Sequence, residues 1–218
     1  MVTLIAQNWT VLLDGLIMTL IVSGVALLTG CPLGLLLAEA GLSGGRVAAA
    51  GARAYGSFWR GTPILVQLLI VFYLPSSFGF AFAPVVAAVV ALALNTAAFQ
   101  AEIYRAGLQA IPRGEIEAAR LLGLGRWQIL VRIEAPQAFR MVLPALVGEA
   151  LALVKNSSLV SVIAVTEITR RAQQIASATF RPLEAYSAAL LAYLAIAAVL
   201  AGAGLLLERR LANRGGRS

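Results

Sequence analysis

The segment that decides the fold is residues 61–100, GTPILVQLLIVFYLPSSFGFAFAPVVAAVVALALNTAAFQ, which contains no charged side chain. As a single α-helix it would be about twice as long as the ~20 residues that cross the hydrocarbon core of a bilayer. Pro75, Gly79 and Pro84 lie near its middle, where proline and glycine interrupt helices and favour turns. The segment therefore predicts two membrane-spanning helices, at about 62–80 and 84–105, joined by a tight connection.

The rest of the chain continues this pattern of apolar runs and short polar connectors. Residues 15–38 and 185–207 are uncharged, and residues 141–166 carry only two charged side chains. The N-terminal run has no basic segment before it, so we expect a retained span and not a cleaved signal peptide. We predict an all-α integral membrane protein in one domain, residues 1–218, with five transmembrane helices at about 11–38, 62–80, 84–105, 141–166 and 185–207.

Composition indicates the same class of protein. Hydrophobic residues make up 60% of the chain and charged residues 12%, whereas about 25% of a soluble domain is charged. The net charge of +7 does not favour nucleic-acid binding, because the basic residues lie in short connectors between apolar runs. Histidine is absent, and Cys31 is the only cysteine. An imidazole base, a zinc cluster or an intrachain disulfide is therefore not expected, and no metal site is predicted.

The distribution of basic residues predicts the orientation of the chain. Thirteen of the seventeen fall on one side of a five-helix arrangement, and basic loops face the cytoplasm. We therefore place the N-terminus outside and the C-terminus in the cytoplasm. The connector 167–184, with Arg170, Arg171 and Arg181, then faces outward. The cytoplasmic side receives Arg46, Arg53, Arg60, the arginines between 105 and 140, and the tail residues Arg209, Arg210, Arg214 and Arg217.

Residues 111–136 form a polar segment between the third and fourth predicted spans. Pro112 cannot continue the preceding helix without the loss of a hydrogen bond. Glu115 lies in the first turn of the next helix, where the helix dipole favours a negative charge. Gly123 and Gly125 can adopt the left-handed conformation that ends a helix. The pattern predicts a helix–turn–helix at the cytoplasmic surface.

The second helix of this hairpin is expected over residues 126–133, with Pro136 as its end. Ala118 and Ala119 in the first helix are small enough for a partner's backbone to approach closely. An amphipathic hairpin that lies on the membrane surface without any partner remains the alternative.

The same segment carries a family resemblance. Glu117-Ala118-Ala119, Gly123, Ile133 and Pro136 resemble the EAA motif of bacterial ABC-importer permeases in residue type and spacing, with Ala135 where that motif has leucine. Further blocks resemble the permeases for polar amino acids, the His/Glu/Gln/Arg/opine family. They are Arg60-Gly61-Thr62-Pro63, Ala101-Glu102-Ile103-Tyr104-Arg105, Lys155-Asn156-Ser157-Ser158-Leu159, Thr166-Glu167 and the arginine-rich residues 170–181.

The resemblance implies a transport subunit of the bacterial inner membrane and not an enzyme. It implies a dimeric pore with a second permease copy or paralogue, a pair of ATP-binding subunits and an extracytoplasmic substrate-binding protein. Glu117, Ala118, Ala119 and Gly123 would couple this chain to the ATPase. The residues agree independently that ATP binds elsewhere, because a P-loop needs Gly-Lys-Ser/Thr and the only lysine lies between Val154 and Asn156. No cofactor is expected in this chain.

The two charges inside the fourth predicted span, Glu149 and Lys155, point to the transport path. A lysine at the bilayer centre costs ~2.5–3.5 kcal/mol on insertion scales, so a helix that carries both charges needs neighbouring helices or a wet cavity. We expect this helix to be the most buried of the bundle. The candidate substrate-path residues are Glu149, Lys155, Asn156, Ser157, Asn95 and Thr96.

Each of these candidates has a structural alternative. Glu149 and Asn156 could form a polar clamp between helices or between two copies, and Lys155 could extend toward the membrane surface. Asn95 could make interhelical hydrogen bonds. The resembled permeases often have an acidic residue at position 156, so Asn156 favours a neutral or acidic amino acid as the substrate.

Three other functions fit parts of the pattern. An ATP-independent channel or carrier would account for the intramembrane charges but not for the cytoplasmic hairpin. An integral-membrane enzyme would need a catalytic cluster that the sequence does not contain. A purely structural membrane subunit would need neither Glu149 nor Asn156 for uptake.

Overall fold

A computed structural model describes residues 2–42 and 44–215, and Arg217 of the basic tail lies outside this range. The described residues contain helices and turns but no β-strand. The helices are α1 (Val2–Gln7), α2 (Trp9–Leu42), α3 (Arg46–Gly61), α4 (Ile64–Tyr73), α5 (Pro84–Gln109), α6 (Arg113–Leu121), α7 (Arg126–Ile129), α8 (Ala135–Asn156), α9 (Ile168–Thr179) and α10 (Pro182–Gly215). Short 3₁₀ turns follow α4 (Leu74–Phe78) and α8 (Ser157–Ile163).

Four helical stretches are long and apolar enough to cross a membrane: Trp9–Leu42, Pro84–Gln109, Arg126–Ile163 and Pro182–Leu211. The predicted span at 62–80 is not one long helix but part of a bent pair of helices. Its helix α4 is only ten residues long, and it meets α3 at a bend of 106°. The preceding polar connector is mostly helical, because α3 is rich in alanine and arginine, which are strong helix formers.

The helix after Gly125 does not end at Pro136, as the sequence predicted. It passes through a π-helical segment, Leu130–Glu134, directly into α8. The N–H of Ala135 bonds to the carbonyl of Leu130, five residues earlier. Proline lacks an N–H and its ring crowds the carbonyl four residues before it. The wider π turn precedes Pro136 and accommodates both effects, so α7, the second helix of the surface hairpin, is continuous with α8.

The core forms where α2 packs along α5, the most extensive helix–helix contact in the fold. Gly30 and Gly34 make this approach possible. A β-carbon on Gly30 would lie 2.4 Å from Cγ2 of Thr96, and one on Gly34 would lie 2.9 Å from Cβ of Gln100. Glycines four residues apart on one helix face are a common way to bring two membrane helices into close contact.

The most buried of the long helices is α5, which corrects the expectation that α8 would be. Its buried face is dominated by alanines, and α2, α4 and α8 all pack against it. Small side chains allow three neighbours to approach one helix. The two charged residues predicted within this span lie outside the buried core, since Glu149 is only partly buried and Lys155 is exposed.

A cluster of hydrogen-bonded polar residues fixes the start of α9. Glu167, which is completely buried, caps this helix by accepting hydrogen bonds from the backbone N–H groups of Thr169 and Arg170, both at 2.8 Å. The hydroxyl of Tyr193 in α10 also donates to Glu167. In addition, the N–H of Ile168 donates to the hydroxyl of Thr19 in α2 at 3.3 Å. These bonds connect α2, α9 and α10.

Candidate functional site

The structure brings together two of the predicted substrate-path residues, Thr96 on α5 and Glu149 on α8. The hydroxyl of Thr96 donates to Oε1 of Glu149 at 2.6 Å. Gln100, one turn further along α5, lies 3.4 Å from the same hydroxyl, and Tyr104 donates to Gln100 at 3.2 Å. Thr96 and Gln100 are buried, whereas Glu149 is only partly buried. Glu149 is thus held at the edge of a polar ladder on α5.

Asn95, the neighbour of Thr96, points away from Glu149 and toward the bend between α3 and α4. Its Nδ2 donates to the backbone carbonyl of Trp59 at 3.1 Å and to Oε1 of Gln67 at 2.8 Å. Gln67 in turn donates to the carbonyls of Trp59 and Thr62 at 2.8 and 3.1 Å. The bend between α3 and α4 leaves these carbonyls without helical partners, and the two amides satisfy them. This geometry favours the interhelical role of Asn95 over contact with a substrate.

The three predicted residues at the end of α8 do not converge on Glu149. Lys155 is exposed, and Asn156 is partly buried at the last position of the helix. The hydroxyl of Ser157 is buried and donates to the carbonyl of Val154 at 2.7 Å. Ser157, the first residue of the 3₁₀ turn, therefore bonds back to the last turn of α8, and Asn156 stays a prediction as a path residue.

The predicted coupling hairpin is present as α6, a turn and α7. Glu117 and Ala118 are exposed, but Ala119 is only 3% exposed. Ala119 packs inside the chain, so Ala118 is the more accessible of the two alanines, and the coupling role of Ala119 stays a prediction. The N–H of Leu124 bonds to the carbonyl of Ala119 at 3.1 Å, so this residue also anchors the turn.

The turn of the hairpin depends on one glycine. Gly123 has φ = +81°, a conformation that residues with a β-carbon adopt only at a cost. Gly125 has φ = −69° and begins α7 instead of ending α6, and its N–H donates to Oε1 of Gln128 at 3.0 Å. The turn presents large apolar side chains: Leu121 is 89% exposed, Leu122 81% and Trp127 73%.

Two polar contacts connect the hairpin to the start of α8. Arg126 forms an ion pair with Glu134, whose carboxylate is almost fully buried at the end of the π segment. Gln137 donates to Glu115 of α6. These contacts attach the hairpin to the start of α8, which carries Glu149 twelve residues beyond Gln137.

At the corner of α9 and α10 lies an open cleft of about 630 Å³. Its polar lining includes Arg170, Gln173 and Ser177, and its aromatic residues are Phe180 and Tyr186. Phe180 is 89% exposed. The cleft is formed by the predicted outward connector and is separate from the Thr96–Glu149 pair.

Sequence reasoning missed three residues that shape the site. Gly30 and Gly34 determine how closely α5 packs on α2. Their four-residue spacing could have predicted a close contact between two helices. Gln67 was visible as a polar residue in an apolar run. Its bonds to a bent backbone could not be anticipated, because the bend itself was not predicted.

Comparison with known proteins agrees with this architecture. The family model for "Binding-protein-dependent transport system inner membrane component" matches residues 30–213. The arginine transport system permease of Bacillus subtilis is 40% identical over 201 residues, which cover 92% of each chain. The glutamine transport system permease of Escherichia coli is 39% identical over 202 residues, with the same coverage.

A solved structure extends the similarity to three dimensions. A crystal structure of an amino acid ABC transporter with histidines contains a chain that superposes with a TM-score of 0.89 at 36% identity. The match covers 94% of this chain and 96% of the other. The protein therefore belongs to the family of binding-protein-dependent transport system inner membrane components. It is a multi-pass membrane permease and not an enzyme.

Proposed function

We propose that this chain is the permease subunit of an ATP-driven importer for a polar amino acid in the bacterial inner membrane. Two copies, or this chain and a paralogue, enclose the path. A pair of separate subunits binds ATP, and an extracytoplasmic binding protein delivers the substrate. Relatives that carry arginine and glutamine in their names support the substrate class.

The observation that carries this proposal is the exposed hairpin at the end of the continuous helical stretch Arg126–Ile163. Leu121, Leu122 and Trp127 form an apolar surface at its tip, and exposed apolar patches of this kind mark protein contacts. Glu117 and Ala118 flank this surface, and Gly123 shapes it. We propose that it docks on the ATP-binding subunit in the cytoplasm, with the N-terminus of the chain outside.

The same helical stretch provides the transport step in this proposal. Closure of the ATP-binding subunits moves α6 and α7, and the π segment and α8 follow because Arg126 pairs with Glu134. The movement shifts Glu149 relative to Thr96 on α5 and opens the path to alternate sides. Glu149 then binds the ammonium group that every amino acid carries, since a carboxylate and an ammonium form a charge-assisted hydrogen bond.

The experiment that tests the proposal is purification of the chain with its candidate ATP-binding and substrate-binding proteins, followed by reconstitution in liposomes. We expect ATP hydrolysis to rise when one polar amino acid and its binding protein are added outside. ATP-dependent accumulation of that amino acid should follow. Uptake by this chain alone, without any ATPase, would contradict the proposal and support an ATP-independent carrier.

A further inference from the structure

The amphipathic helix α3 has three faces of different chemistry. One face packs on the protein: Tyr55 donates to the carbonyl of Leu94 at 2.7 Å, and Gly56 is buried. Arg46, Arg53 and Arg60 recur every seven residues and form a second face. The third face, about 100° around the helix from the arginines, presents apolar side chains that the protein leaves uncovered.

The uncovered apolar face is formed by Val47, Ala54 and Phe58. Val47 is 87% exposed and Phe58 51% exposed, and Ala54 between them is also exposed. Spacings of seven and four residues place them in one line along the helix. This line lies next to the row of arginines, so a single partner can contact both.

The contacts of α3 set the depth of its two ends. Gly34 of α2 lies against Gln100 of α5, so the end of α2 and the start of α3 lie near the end of α5, on the side that the basic residues assign to the cytoplasm. The far end of α3 reaches the middle of α5, where Tyr55 bonds to Leu94. Arg46 and Arg53 precede that point, so their long side chains can extend to the headgroups while the apolar side chains beside them face the acyl chains.

The charges of α3 are of one sign. Its sixteen residues include no aspartate or glutamate. Arg60 lies 3.7 Å from Glu102 and donates to the carbonyl of Gly56 at 3.3 Å. Within residues 2–42 and 44–215, Arg46 and Arg53 take part in no ion pair, and both are exposed. Two cationic groups beside an apolar line are thus available to an external anion.

We propose that α3 is a binding surface for anionic phospholipid. Arg46 and Arg53 bind the phosphate of the headgroup, and Val47 and Phe58 lie against the acyl chains. The arginines and the apolar line together match a charged layer above a hydrocarbon layer. Lipid held here would brace the α3–α4 bend, where Gln67 and Asn95 already satisfy the backbone.

The test uses the purified complex in detergent that contains equal amounts of phosphatidylglycerol and phosphatidylcholine. Native mass spectrometry then measures the ratio of the two lipids that remain bound. We expect phosphatidylglycerol to be enriched, and Arg46→Gln with Arg53→Gln to lower the ratio by about fivefold for each arginine. Arg46→Lys with Arg53→Lys should retain most of the enrichment, and raised salt should reduce it.

Arg120→Gln is the matched control, because Arg120 is an exposed arginine on α6 and not on α3. An equal loss of phosphatidylglycerol in this control would overturn the proposal, as would an unchanged ratio in the double glutamine variant. If the double glutamine variant lost another protein subunit while the lipid ratio stayed unchanged, α3 would be a protein contact and the proposal would be wrong. In a Cys31→Ala background, a disulfide between two copies of Val47→Cys would show that a second copy covers the apolar line, and this too would overturn it.

Discussion

Thr96 on α5 donates a 2.6 Å hydrogen bond to Glu149 on α8, and this bond joins the most buried helix of the bundle to the helix that extends into the surface hairpin. A carboxylate within a membrane-spanning bundle is costly, so it is usually paired with a partner or marks a functional site. The bond satisfies one oxygen of Glu149. The position of this pair on a candidate moving element makes it the first site to test.

We predict that Glu149→Gln weakens substrate binding while it leaves the fold intact. A glutamine oxygen can still accept the bond from Thr96, so the change removes mainly the negative charge. A hydrogen bond to a charged group contributes ~1.5–3 kcal/mol, which corresponds to a rise of about ten- to a hundredfold in the substrate concentration for half-maximal uptake. Thermal unfolding of the purified variant provides the control. An unchanged uptake profile would make Glu149 a packing residue.

We predict that Gly123→Asp abolishes ATP-linked uptake without loss of membrane insertion. A β-carbon at Gly123 would meet no atom of the chain within 4 Å, so the added side chain would project into the open space where we propose that the ATP-binding subunit docks. The left-handed backbone adds a cost of ~1–2 kcal/mol. Uptake, ATP hydrolysis and membrane content of the variant should be measured together.

Gly114→Asp is the matched control for this substitution. Gly114 lies on the same hairpin, is exposed and also has open space around it, but it is not among the glycines with positive φ. An aspartate there lies in the first turn of α6, which the helix dipole favours. Normal uptake by Gly123→Asp would count against the coupling role of the turn.

We predict that Gly30→Ala lowers both stability and uptake. The new methyl group would lie 2.4 Å from Cγ2 of Thr96, so α2 and α5 must separate or Thr96 must move away from Glu149. Overpacking of this kind costs ~1–3 kcal/mol. Gly24→Ala in the same helix is the control, since no atom lies within 4 Å of its added carbon. Equal melting temperatures of the two variants would refute the close-packing argument.

We predict that Asn95→Ala reduces the amount of folded complex but does not change which amino acid is preferred. The substitution leaves the carbonyl of Trp59 with one donor fewer and removes the partner of Gln67. An unsatisfied buried polar group costs ~1–3 kcal/mol. Complex yield and substrate competition should be measured side by side. A changed order of substrate preference would return Asn95 to the transport path.

The apolar runs by themselves determined that this is an all-α membrane protein, because several uncharged stretches of about twenty residues or more are too long for the core of a soluble domain and long enough to cross a bilayer. The local motifs were equally informative. Gly123, predicted to end a helix, follows the end of α6 with a positive φ, and Glu115 lies in the first turn of α6 as predicted. Such features depend on neighbours in the chain, so the sequence is sufficient to predict them.

Only the tertiary structure decided which polar residues meet. Asn95 and Thr96 are adjacent in sequence, but their side chains point to different helices: one satisfies the bend at Trp59, and the other holds Glu149. The helix continues past Pro136 because of the preceding π turn, and no residue type in the sequence predicts such a turn. The burial of Ala119 depends on packing against the rest of the chain. These outcomes follow from the angles at which helices cross, and a one-dimensional pattern of polarity does not contain those angles.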